Sequence, residues 1–180
     1  MKPVFEIIPE AIFFQQTNLI CEISADSFSY IFENDIDKRF HGLSVFHFAN
    51  DDISGQLKEI FNEQPLLGKN YKKFFVSYTG GESALLPEEL YKPGQNGLLL
   101  DTLYGDLNEG TIATDLVADK KIYNVYRMSA DIHKTIVDQF PLAAFSHQYS
   151  LLIKQSFQGD LLKIIFYSET FVAELVKEGE

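Results

Sequence analysis

Tryptophan is absent from this 180-residue chain, cysteine occurs once, methionine twice, and basic side chains are outnumbered 15 to 26 by acidic ones. Each shortage closes off a class of function. A single cysteine, Cys21, permits no disulfide within the chain, and its place in an apolar run fits a buried structural thiol. The formal net charge of −11 disfavours nucleic acid, because phosphate binding is driven by Lys and Arg releasing counterions. The same acidity disfavours an anionic membrane surface. The basic pairs Lys72-Lys73 and Lys120-Lys121 each sit beside a strand and read as charges that guard a sheet edge. No apolar run approaches the ~18 residues that span a bilayer, and Glu6, Pro9 and Glu10 interrupt the start where a signal peptide would be apolar. A reduced, cytoplasmic setting without membrane insertion is the expectation.

What is abundant is phenylalanine, sixteen residues of it, with nine tyrosines. Phe fills the space between a sheet and its helices, so core packing accounts for it. The length fits one domain, or one and a fraction, with room for a real core. Residues Met1–Thr17 read as a mixed lead-in, either an added strand or a loosely packed arm. A strand over Phe40–Phe48 ends at Asn50-Asp51-Asp52, a helix start with acids in the first turn. The helix carries Ile53, Leu57, Ile60 and Phe61 on one stripe and stops before Pro65. Lys72–Tyr78 is a strand ending in Thr79-Gly80-Gly81. Pro87 suits the first turn of a short helix through Tyr91, and Leu98–Leu107 reads as another helix. Thr111–Val117 and Ile122–Met128 form a hairpin. Ser129 caps a helix with the stripe Ile132, Ile136, Val137 and Phe140, closed by Pro141. Leu142–Phe145 is a short strand, and Ser146 caps a helix through Phe157.

Two stretches echo each other. Leu19–Phe32 and Leu162–Leu175 each run from apolar residues into an acid–hydroxyl–Phe triplet, Asp26-Ser27-Phe28 and Glu169-Thr170-Phe171, with 170 − 27 = 143 positions between them. Both read as β-hairpins with polar turns, at Ser24–Ser27 and Tyr167–Thr170, and the spacing fits a chain built from two like halves. Phe171–Val176 runs into Lys177-Glu178-Gly179-Glu180 with no partner strand after it, which suggests a piece of a longer protein cut at a turn.

The hairpin start, the segment Ala84-Leu85-Leu86-Pro87-Glu88-Glu89-Leu90-Tyr91 and the segment Phe145-Ser146-His147-Gln148-Tyr149-Ser150 together resemble an uncharacterised bacterial family, a domain of unknown function. The resemblance implies an actin-like ATPase (ribonuclease H-like) fold: an α/β protein with a mixed sheet flanked by helices. On that reading residues 1–18 are a lead-in arm, 19–160 a first subdomain with its core half at Leu19–Phe145, and 161–180 the truncated start of a second. Active members of such folds carry D-x-G-x-x-[ST] at each hairpin turn. The Gly admits the phosphate, the carboxylate holds Mg²⁺ or activates water, and the hydroxyl bonds a phosphate oxygen. Here the first copy is Glu22, Ser24 and Ser27, which keeps an acid and a hydroxyl but no Gly. The second is Ile165, Tyr167 and Thr170, without carboxylate or Gly. Degenerate nucleotide-binding motifs and no cofactor are therefore expected, the alternative being ATP with Mg²⁺.

Other constellations are thinner. Thr79-Gly80-Gly81-Glu82-Ser83 lacks G-x-x-x-x-G-K-[ST], and a tight turn explains it. His41 and His47 share a strand without a third metal ligand, and His133 reads as a solvated helix residue. His147 falls at a strand-to-helix junction, suited either to a cleft or to a neutral imidazole bonded to a local carbonyl. No G-x-S-x-G elbow is present. A two-metal nuclease would use Glu22 and Asp115 on a surface that repels its substrate, and nothing points to paired-carboxylate glycosidase chemistry. The site candidates are Glu22, Ser24, Asp26, Ser27 and His147, with no catalytic or metal residue assigned. Three functions stand open: a non-catalytic scaffold acting through a protein partner or homo-oligomer, a nucleotide-dependent ATPase or sugar-kinase-like enzyme, and a plain small-molecule-binding domain.

Overall fold

The structure is a computed structural model describing residues 1–105, 109–155, 159–166 and 171–177. Its main sheet is built on period-two alternation. In β2 (Thr17–Ile23) the odd positions Leu19, Cys21 and Ile23 are buried, and in β3 (Ser27–Asn34) Phe28, Tyr30 and Phe32 are. These two strands form the first expected hairpin. Adding β1 (Phe5–Ile7), β4 (Phe40–His47), β5 (Lys73–Tyr78) and β9 (Ala144–His147) gives the order β1-β4-β3-β2-β5-β9. Strands β1 to β4 pair antiparallel, whereas β2, β5 and β9 run parallel. The chain walks outward from β2 through β3 and β4, then returns to the other side of β2. The switch point lies between β2 and β5.

The lead-in is an added strand over Phe5–Ile7 on the β4 edge, and Thr17 and Asn18 already belong to β2, buried within the sheet. Gly42 of β4 is needed there: a Cβ would come within 2.8 Å of Pro9 Cδ and 2.9 Å of the Ile7 carbonyl.

Two helices cover the aromatic face. In α1 (Ile53–Glu63) the Asp52 carboxylate caps Gly55 N–H at 2.9 Å, so Asp51 and Asp52 precede the first turn in which they were expected, and in α3 (Ala130–Gln139) Ser129 caps Ile132. Apart from Val137, which does not join the core, their expected stripes face the sheet. Leu57, Ile60, Ile136 and Phe140 join Phe46 and Val76 in one buried cluster, with Phe48, Ile53, Phe61, Phe74 and Ile132 packed against it. The rings interlock: Phe28 lies 5.6 Å edge-on from Phe61, and Phe61 lies 5.5 Å edge-on from Phe140.

Between β5 and β9 the chain builds a second sheet, ordered β6-β8-β7 from β6 (Ser83–Pro87), β7 (Thr111–Val117) and β8 (Ile122–Met128). Helix α2 (Asn96–Tyr104) packs Leu100 against Ala84 and Val125. Here two expectations need correction. Pro87 ends strand β6, opposite Ile122, rather than opening a helix; only a single 3-10 turn over Glu88–Leu90 follows. Among the described residues β6 pairs on one side only, and an edge strand tolerates a residue without N–H. The helix after β9, α4 (Gln148–Ile153), is capped by the His147 side chain, because Ser146 still belongs to the strand. Leu107, Phe157 and the turn Tyr167–Thr170 fall outside the described residues.

The second hairpin, β10 (Leu161–Phe166) with β11 (Phe171–Val176), has the expected form. Leu162 pairs with Leu175 as Leu19 pairs with Phe32, so the register carries over under the same offset, 162 − 19 = 175 − 32 = 143. Among the described residues it makes a two-stranded sheet by itself.

Candidate functional site

The carboxyl ends of parallel strands, at a topological switch point, are where open α/β sheets bind ligands. Here that edge carries the turn after β2, the loop after β5 and the junction of β9 with α4. All five candidates lie along it, though they do not form one cluster.

Three of them share the first hairpin turn. Ser24 Oγ accepts from the backbone N–H of Ser27 at 3.0 Å and of Asp26 at 3.3 Å. It also lies 2.5 Å from Asp26 Oδ1 and 2.8 Å from Ser27 Oγ. The short hydroxyl side chain therefore fills the concavity made by successive N–H groups, which is the kind of feature that holds anions. An incoming phosphate oxygen would have to displace Ser24 and then meet the Asp26 carboxylate. Glu22 faces the next strand, where its Oε1 accepts from Thr79 Oγ1 at 3.1 Å, beside the Thr79 N–H to Ile23 carbonyl bond of 2.8 Å.

His147 is 1 % exposed. Tyr149 N–H donates to its Nδ1 at 3.1 Å, so the ring proton sits on Nε2, which reaches the Gly80 carbonyl at 3.3 Å. Its own backbone N–H donates to Asp115 Oδ2 at 2.7 Å, and Tyr126 Oη donates to the other oxygen of that carboxylate at 3.3 Å. Burial holds the imidazole below its ordinary pKa, against the opposing pull of the Gly80 carbonyl and the Asp115 charge. Of the two roles open to His147, the structure shows the neutral ring bonded to a local carbonyl. Asp115 is likewise occupied with the β9 junction, so the nuclease reading loses one acid to a structural contact.

Sequence reasoning missed the groups that hold this edge rigid. Asn124 is fully buried, accepting from Ser83 Oγ at 2.6 Å and donating to Ser150 Oγ at 3.0 Å, which ties β6, β8 and α4 together. The signal was a lone Asn inside the apolar run Ile122–Met128. Arg127 bridges Glu82 at 3.0 Å and Asp101 at 2.5 Å, fastening the loop after β5 to α2. His133 is half-buried rather than freely solvated: its Nδ1 meets Tyr78 Oη at 2.9 Å beside Phe145, and burial lowers its pKa. Lys72 leads into the interior strand β5 and ion-pairs with Asp35, so it guards no edge. Cys21 is buried in β2, and desolvation pushes its thiol far up, away from reactivity. His41 and His47 are both exposed on β4, and among the described residues no three His, Cys, Asp or Glu side chains group as metal ligands. No helix among the described residues is long and apolar enough to cross a membrane.

The parallel core with its antiparallel hairpin and inserted sheet defines the class. A crystal structure from Bacteroides thetaiotaomicron, described as a protein with actin-like ATPase fold and unknown function, superposes with a TM-score of 0.79 at 19 % identity, covering 94 % of this chain and 70 % of that one. The fold is thus the actin-like ATPase fold. The family described as protein of unknown function, DUF3822, matches residues 11–160, and the chain belongs to it. No curated protein matches.

Proposed function

We propose that this protein is a non-catalytic member of the actin-like fold that works through protein contact, in the cytoplasm, without a bound nucleotide. The observation that carries the reading is Ser24: its hydroxyl already takes the two N–H groups that a phosphate would need. Asp26 beside it adds a negative charge where an anion would sit. Residues 161–180 are proposed to open a second unit like the first, which the shared register of the two hairpins supports. The chain's acidity and the apolar outward side of β10–β11 favour a protein partner or a second copy over nucleic acid.

The test is calorimetric titration with ATP·Mg²⁺. No saturable heat is expected at millimolar nucleotide. A dissociation constant in the low micromolar range, abolished by Ser27→Ala, would overturn this in favour of a nucleotide-dependent ATPase or sugar-kinase-like enzyme.

A further inference from the structure

A second region, between α4 and the second hairpin, has the form of a binding site. A cavity of about 370 Å³ lies between α4 (Tyr149, Leu152, Ile153), Leu85 of β6 and residues 171–174 of β11. That volume is in the range of small-ligand pockets, ~300–1,000 Å³. Its lining is apolar and aromatic, with one carboxylate, Glu174. The Glu174 side chain is 17 % exposed, and its Oε2 is buried without a hydrogen-bond donor among the described residues. The cross-strand neighbour Lys163 lies 4.0 Å away, too far for a hydrogen bond, and its ammonium is instead drawn to Gln155 Oε1 at 2.5 Å. A carboxylate oxygen withdrawn from water without a donor is costly, and a ligand bearing N–H groups would remove that cost.

We infer that this cavity binds a primary ammonium group carried on an apolar or aromatic body, with Glu174 accepting its charge-assisted hydrogen bond and Leu85, Leu152 and Val172 covering the body. An anion is refused by Glu174 and by the net charge of −11. A neutral apolar ligand leaves Oε2 unpaired. The ammonium could belong to a free amine or to a lysine side chain beside an aromatic residue; the recognising chemistry is the same. The inference does not depend on how the strand-end turn treats nucleotides.

Phenethylammonium titrated into the full chain, followed by NMR, is expected to saturate and to bind about tenfold or more tightly than 2-phenylethanol, the neutral counterpart. Glu174→Gln should erase that preference while leaving the alcohol's affinity unchanged. Lys163→Met, which removes the competing cation, should strengthen amine binding and provides a second variant should Glu174→Gln fold poorly. Blocked acetyl-Phe-Lys-amide, run in parallel, tells a free amine from a lysine side chain by which binds tighter. Equal binding of amine and alcohol, no saturation by any of the three probes, or a preference that survives Glu174→Gln would each overturn the site.

Discussion

Phe28 and Phe171 hold the same place in two hairpins of identical register, yet Phe28 is 0 % exposed and Phe171 is 63 % exposed. The first hairpin is flanked by β4 and β5 and roofed by α1 and α3, so its alternation ends in a core. The second pairs with no other strand among the described residues. Its outward row of Leu162, Ile164, Phe166, Phe171 and Leu175 is exposed, while Lys163 and Glu174 turn inward. The same strand pattern thus produces opposite burial, and what differs is the surrounding structure rather than the strands. An isolated two-stranded hairpin is marginal in water. Stability should therefore be concentrated in the first hairpin.

The sharpest way to break this comparison is the matched pair of substitutions. Phe28→Ala opens a void among Tyr30, Phe46 and Phe61 and should cost about 3–5 kcal/mol in urea unfolding. Phe171→Ala should stay within about 0.5 kcal/mol, as exposed substitutions do. Equal costs would mean that the second hairpin is as well supported as the first.

A smaller effect separates the two regions by their supports. Asn124→Ala strands the Ser83 and Ser150 hydroxyls in the interior and should cost about 1–3 kcal/mol. Because Ser150 lies on α4, which lines one cavity together with β11, amide exchange should accelerate in α4 and β10–β11 while β2–β3 stays protected. Uniform acceleration through both hairpins would remove the distinction.

Acid should also act unevenly. His147 is neutral and buried, with its pKa held below the ordinary 6.5, so the unfolded chain binds a proton that the folded chain refuses. Stability is full above the unfolded value and falls as pH drops through 6.5 toward the depressed folded value. His147→Gln should flatten that slope, and His133→Gln should flatten it further because His133 is shifted the same way. The second hairpin contains no histidine, so the effect belongs to the main sheet and its strand ends. An unchanged pH profile in the double variant would exclude both rings as its source.

Much of this was legible in the sequence because local rules and tertiary packing agreed. The Ser129 cap, the stripes ending at Pro65 and Pro141, and the β7–β8 hairpin all needed only periodicity and turn chemistry. The aromatic core followed from the same alternation. Misreadings came where a residue's role depends on a partner far along the chain. Pro87 looked like a helix start because nothing local reveals that β6 is an edge paired to β8. His133 looked solvated because Tyr78 and Phe145, which cover part of it, come from strands far along the chain. At the candidate site the residues of the first turn could be named, but the filling of that turn by Ser24 could not. It depends on a hydroxyl rotamer and two N–H directions that spacing does not encode.

The smallest expected effect concerns how each hairpin is tied by charge. Asp35, just past β3, is bonded by Lys72, Lys38 and Asn18, and the Lys72 contact hooks the first hairpin to the start of β5. The second hairpin's Lys163–Glu174 pair stays within the hairpin. Lys72, then Lys38, hold the Asp35 carboxyl well below its ordinary 3.8, so the bonded carboxylate contributes stability above that pH and loses it as pH falls toward the depressed folded value. Lys72→Met should therefore shrink the acid limb below pH 3.8 and leave the limb around 6.5 unchanged, since that one belongs to the histidines. Surface ion pairs are weak and screened, so the difference from the parent should fade in molar salt. Persistence of the difference at high salt would show that Lys72 acts through packing of its aliphatic stem rather than through charge. In that case the two hairpins would differ in how their strands are packed, and electrostatics would have no part in the comparison.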